Sequence, residues 1–176
     1  MRFDVSQPSK PESDLYASPS SELVMGVQWD PPQVDEQGAT ADLDAICVLI
    51  RSDGSWECIH PGAPCGASGS VVHTGDSTSG ASIWDDERVF VFLDALPGSV
   101  NRVAFIVCSV TGQPFNKIRG ARCHLSDRQT EAPWLRVDLT TLVGRTEHVV
   151  ACLDRTSRGW RLADATFDSK IWIRPQ

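Results

Sequence analysis

Several features common in catalytic, secreted and nucleic-acid-binding proteins are missing from this chain. No Gly-x-Ser-x-Gly elbow, Walker A loop, His-Glu-x-x-His or Rossmann fingerprint occurs, and the four histidines are scattered with no evident acid–base pair. An enzyme is therefore not expected. A positive surplus is also lacking, since 23 Asp+Glu stand against 16 Lys+Arg for a formal charge of −7. Such a surface repels phosphate backbones and attracts cations, which argues against nucleic acid as a partner. The opening Met-Arg-Phe-Asp-Val-Ser-Gln-Pro has no apolar core of a signal peptide, and nowhere do 18 uncharged apolar residues run together. The expectation is a soluble, cytoplasmic protein without a transmembrane segment, which leaves peripheral association with a membrane surface open. No internal repeat stands out.

Six cysteines are present (Cys47, Cys58, Cys65, Cys108, Cys123, Cys152), but without a secretory signal they read as reduced, small, buried side chains. Cys58, His60, Cys65 and His73 have ligand types that suit zinc, yet their spacing matches no Cys-x2-Cys pattern.

Residues 1–21 are rich in Pro, Ser and charge and read as a mobile tail or weakly held edge, leaving 22–176 as one domain. From Leu23 onward, short apolar runs with period-2 alternation or Val/Ile/Phe enrichment are separated by turn chemistry such as Asp53-Gly54 and Pro97-Gly98. Strands are expected at 23–29, 43–51, 55–60, 87–93, 102–110, 120–126, 134–139, 147–153, 159–163 and 170–174, with a short helical turn at Pro114–Arg119. Ser70–His73 also reads as a strand flank. Within 134–139 the alternation puts Leu135, Val137 and Leu139 on one face, whereas Val103–Cys108 is apolar on both, as in a central covered strand. About ten such strands indicate an all-β protein, a β-sandwich of two mainly antiparallel sheets.

The most informative stretch is Ser70–Glu87, which holds Asp76 and then Asp85, Asp86 and Glu87 on a Gly/Ser/Thr loop, while Asp42 and Asp44 lie upstream. Calcium takes six to eight oxygen ligands from carboxylates, carbonyls and water, so acidic side chains on irregular backbone make it the first candidate cation. Asp42 and Asp44, two apart at a strand start, point to one side and can converge on a loop from elsewhere. Other readings are a solvated turn with Asp76 capping backbone amides, and for Asp42 and Asp44 an exposed strand edge blunted by charge. An EF-hand is excluded, because Thr78, Gly80 and Ala81 occupy its third, fifth and sixth positions. His73 reads as a hydrogen-bonding residue, since calcium prefers oxygen. The tryptophans read as core or rim packing, except Trp84, which sits inside the acidic loop and could meet a partner.

Four stretches carry a resemblance. Gly26-Val-Gln-Trp-Asp30, Ala41-Asp-Leu-Asp-Ala45, the ungapped segment Ser70–Glu87, and Gly112-Gln-x-Phe115 with Lys117–Ala121 and Leu125–Asp127 together resemble the TerD family of tellurium-resistance and stress-response proteins, over residues 23–165. The resemblance implies a calcium-binding β-sandwich with the metal loops at one end, and candidate ligands Asp42, Asp44, Asp76, Asp85, Asp86 and Glu87. It further implies a non-enzymatic binding or scaffold module of a bacterial stress-response complex, whose partners are calcium and other proteins. The alternatives are a metal-independent interaction domain that has lost its ions and, less favoured, a metal-dependent hydrolase. Ser77, Ala81 and Ser82-Ile83-Trp84 replace the family's Asn, Glu and Gly-Asp-Gly. Two acids are thereby lost, and since calcium affinity follows ligand charge, one good site and a second, degraded one are expected. Pro61-Gly-Ala63 and Phe167–Gln176 also depart from the family pattern.

Overall fold

A computed structural model of the chain describes residues 16–17, 22–31, 40–66 and 68–165. Eleven strands are seen among them: β1 (Tyr16–Ala17), β2 (Glu22–Gln28), β3 (Leu43–Arg51), β4 (Trp56–Ile59), β5 (Val71–His73), β6 (Glu87–Phe92), β7 (Val100–Ser109), β8 (Arg122–Asp127), β9 (Pro133–Asp138), β10 (Glu147–Thr156) and β11 (Gly159–Ala163). They form a six-stranded sheet in the order β1-β11-β10-β7-β3-β4 and a five-stranded sheet in the order β5-β6-β2-β8-β9. Every pairing is antiparallel, so the expected all-β sandwich of two antiparallel sheets is the fold observed.

Period-2 patterning explains the five-stranded sheet. Leu23, Met25 and Val27 of β2, Val89 and Val91 of β6, and Cys123 and Leu125 of β8 point inward and are fully or almost fully buried. Val24, Gly26 and Gln28, Arg88 and Phe90, and Arg122, His124 and Ser126 alternate with them on the other face. In the six-stranded sheet the alternation is lost because β3 and β7 are buried on both sides. Val103, Phe105 and Val107 join the inter-sheet core, while Ala104, Ile106 and Cys108 form a second cluster with Ile46, Val48 and Cys152. The two-sided apolar run is therefore a central strand, as its pattern predicts.

Most expected strands appear within a residue or two. The span 134–139 ends at Asp138, whose carboxylate accepts from Thr140 N–H and starts a 3-10 turn at Leu139–Thr141. A second 3-10 turn, Phe115–Lys117, occupies the expected helical turn and buries Phe115. Strand 170–174 lies outside the described residues. Tyr16 and Ala17, within the segment read as a tail or weakly held edge, pair with Arg161 and Trp160 of β11. None of the six cysteines is in a disulfide, and Cys47, Cys108, Cys123 and Cys152 are buried. Two depart from the expectation: Cys58 is only half-buried, and Cys65 is exposed in the loop before β5, where it contributes an isolated bridge to Val72.

Candidate metal centre

The start of β3 and the loop between β5 and β6 meet at one end of the sandwich. Asp42 and Asp44 flank the fully buried Leu43, which fixes both on the opposite side of the strand, and the Asp42 carbonyl accepts from Val110 N–H at 2.9 Å. The loop brings Asp76 to them, so that one carboxylate oxygen from each of Asp42, Asp44 and Asp76 lies within 4.8 Å of the others. The Oδ1 atom of Asp42 is buried with no hydrogen-bond partner among the described residues. A buried acceptor without a donor is costly, and three gathered carboxylates add mutual repulsion. Both defects are those a hard cation with oxygen ligands would relieve, so the donor set fits calcium.

Protonation equilibria reflect the same strain. Burial, and then the charges of Asp76 and Glu87, push the Asp42 carboxyl up to about 6. Burial, Glu87, Asp42 and Asp76 push Asp44 up to about 7, against a smaller opposing effect of His73. A carboxyl whose folded pKa lies above its unfolded value stabilises the fold below the unfolded value and loses that contribution as pH rises through the folded one. Through Asp42 and Asp44 the metal-free protein should therefore lose stability as pH rises from about 4 to about 7, from the ordinary Asp value to the raised ones. Chemical denaturation in chelator at a series of pH values reads this slope, and it should flatten in Asp44→Asn.

Glu87 stands directly behind the trio. It is an inward-facing residue of β6, fully buried, and its two oxygens tie three elements together. Oε2 accepts from Ala45 N–H at 2.8 Å, beyond the end of β4, whose pairing with β3 starts at Cys47. Oε1 accepts from Ser77 N–H at 3.1 Å, next to Asp76 in the loop. His73 Nε2 lies 3.3 Å from Oε2, while its Nδ1 accepts from Gly75 N–H at 2.9 Å. Nε2 makes no hydrogen bond among the described residues, so Nδ1 alone serves the hydrogen-bonding role expected of His73. The Cys58/His60/Cys65/His73 series forms no metal-ligand group among the described residues.

The remaining two candidates are placed elsewhere. Asp86 pins the loop: Oδ2 accepts from Trp29 N–H and Oδ1 from Ser82 N–H, each at 3.0 Å. Asp85 turns to the outer face of the five-stranded sheet, where His124 Nε2 lies 3.2 Å from both its oxygens and Arg88 Nε donates at 3.0 Å. Burial alone would raise its pKa, but His124 and Arg88 outweigh it and hold Asp85 below the usual carboxylate range. Gly26 makes room for this pair, since a Cβ there would sit 2.3 Å from His124 Nε2 and 2.5 Å from Asp85 Cγ. His124 also bonds Ser126 Oγ at 2.7 Å through Nδ1. This Asp85–His124–Ser126 chain was not anticipated from the sequence; its only signal there is the His-x-Ser alternation on β8.

Gly80 closes the loop over the core. It holds a φ of +61°, and a Cβ there would meet the buried Trp29 ring at 2.4 Å. Gly80→Ala should destabilise by roughly 2–4 kcal/mol, combining about 1 kcal/mol for a left-handed φ with about 1–3 kcal/mol for overpacking. A urea titration of the variant measures it.

A family model described as the TerD domain matches residues 12–166. The tellurium resistance protein TerZ of Serratia marcescens is 36% identical over 154 residues, covering 82% of this chain and 78% of that protein. Stress response protein SCP2 of Bacillus subtilis is 28% identical over 172 residues, covering 86% of each. Among solved structures, a homologue of the telluride resistance protein TerD from Streptomyces coelicolor A3(2) superposes with a TM-score of 0.69 at 18% identity, covering 81% of this chain and 86% of that one, a likeness of fold. With the domain match spanning most of its length, the chain belongs to the TerD family.

Proposed function

We propose that this protein is a calcium-binding, non-enzymatic TerD module acting as a scaffold in a bacterial stress response or in tellurite resistance. The observation that carries the reading is the convergence of Asp42, Asp44 and Asp76 within 4.8 Å, with the buried Asp42 Oδ1 lacking a hydrogen-bond partner among the described residues. Bound there, calcium would supply compensating positive charge and a structural tie between β3 and the acidic loop. Asp42, Asp44 and Asp76 would hold it, and Glu87 keeps the two backbone segments that carry them in register. Asp85 and Asp86 have other partners, which supports one ion per chain. The names of the relatives support the stress-response and tellurium setting. A cytoplasmic location is part of the proposal; no helix among the described residues is long and apolar enough to cross a membrane.

Calorimetric titration of chelator-treated protein tests this. A single binding event is expected, with affinity rising from pH 5 to pH 8 because Asp42 and Asp44 must shed protons to ligate. No heat at millimolar calcium in two buffers of different ionisation enthalpy would sink the reading.

A further inference from the structure

The outer face of the five-stranded sheet is separate from the carboxylate trio, none of whose residues lines it. It forms an open trough of about 1160 Å³, floored by β6, β2, β8 and β9 and bordered by the loop tip at Ile83 and Trp84. Those two side chains are 87% and 69% exposed, a large apolar area for a loop otherwise rich in Ser, Gly and Asp. Gly26 leaves the middle of the floor low, in the cross-strand row Arg88, Gly26, His124, Arg136.

Charge on this face is unevenly satisfied. Asp85 is engaged by His124 and Arg88, Asp127 accepts from Gln129 N–H, Thr130 N–H and Thr130 Oγ1, and Asp138 accepts from Thr140, while Glu131, also lining the trough, is exposed. Arg128 is paired with Glu22 and lies over Phe90 at 5.5 Å. Exposed Arg122 and Arg136 differ: Arg122 donates to the Gly120 carbonyl at 3.0 Å, and no carboxylate among the described residues pairs with either guanidinium. Arg136 stands opposite His124 and Arg122 opposite Asp138, so the two arginines are diagonal neighbours on adjacent strands. Diagonal neighbours are roughly 7–8 Å apart.

We propose that this trough docks an extended acidic segment of a partner protein, with alternate carboxylates on Arg122 and Arg136 and an apolar side chain against Trp84 and Ile83. Alternate side chains of an extended chain are about 7 Å apart, close to the roughly 7–8 Å between diagonal cross-strand positions such as those of Arg122 and Arg136. The exposed apolar pair Ile83 and Trp84 at the border suits a partner's side chain, whereas a lone phosphate offers no apolar surface to cover it. Single exposed ion pairs contribute little, so affinity comes from the paired charges together with burial of the loop-tip aromatic.

The test uses the full chain in chelator, which keeps it separate from the calcium reading. Fluorescence anisotropy follows a dye-labelled peptide of alternating Glu and Leu, with its Lys-for-Glu counterpart as control. Saturable binding of the acidic peptide alone is expected, weakening with salt. It should fall by about tenfold or more in the Arg122→Glu, Arg136→Glu double variant, the difference one lost pair of charge-assisted contacts makes. Trp84→Ala should weaken it with the salt dependence unchanged. Both variants alter exposed side chains, and melting curves matching the wild type establish that they fold. No saturation by about 1 mM peptide, where specific docking ceases to be meaningful, overturns the proposal. So do equal binding of the lysine peptide, indifference to the arginine reversal, or displacement by equimolar pyrophosphate, which would assign the arginines to small phosphates.

Discussion

Saturating calcium should raise the melting temperature of the chelator-treated protein by roughly 5–10 °C. The figure follows from mass action: a ligand that binds only the folded state contributes RT ln(1 + [L]/Kd), about 2.7 kcal/mol at a hundredfold excess over Kd. For a domain of this size each kcal/mol moves the midpoint by about 2–4 °C. Asp44→Asn and Asp76→Asn should behave oppositely in the two conditions. Without calcium they relieve repulsion in the trio and melt at or above the wild-type temperature; with calcium they lose most of the shift, because ligand charge is gone. Asp85→Asn serves as the control, since Asp85 faces His124 and Arg88 on the other side of the loop and should keep the calcium response. Differential scanning calorimetry with and without chelator decides the matter. Equal melting temperatures in both conditions, or a shift abolished only in the Asp85 variant, would move the metal away from the trio.

Glu87→Ala unfolds the protein far more readily than any change among the exposed acids, by about 3–5 kcal/mol. Two effects compete here. Removing Glu87 lowers the negative charge beside Asp42 and Asp44, which favours the metal-free fold. Against this, the Ala45 and Ser77 N–H groups lose their acceptor, each at about 1–3 kcal/mol when buried, and His73 Nε2 loses its neighbour. The hydrogen-bond loss is the larger, so the net effect is destabilising. Glu87→Gln should fall between the wild type and Ala, because one amide oxygen can still accept while the NH2 group opposes a backbone donor. Urea denaturation in chelator gives the ranking. If Gln matches the wild type in stability, Glu87 is not the tie between β3, β6 and the loop.

The two effects show why the acidic segment was only partly legible before folding. Period-2 spacing told that Asp42 and Asp44 share a side of β3, because a strand has a fixed repeat. Asp76, Asp85 and Asp86 lie on turn backbone with no repeat, so nothing in their order tells which way each carboxylate points. Asp85 and Asp86 are adjacent, yet one reaches His124 on β8 and the other the Trp29 amide. Glu87 is the first residue of β6, and its burial follows from parity with Val89 and Val91. That parity was readable, but a carboxylate at an inward position reads as exposed until its partners are known.

The sequence by itself determined the all-β architecture, most strand positions and membership of the TerD family, since alternation, turn residues and the Ser70–Glu87 motif are local signals. It also placed the acids that meet at the end of the sandwich. Only the tertiary structure decided their division of labour: a trio of Asp42, Asp44 and Asp76, a buried tie at Glu87, a loop pin at Asp86, and Asp85 on the opposite face with His124 and Ser126. The physical reason is that carboxylates are chemically alike along the chain, and their roles are assigned by the donors, cations and burial that distant strands bring to each.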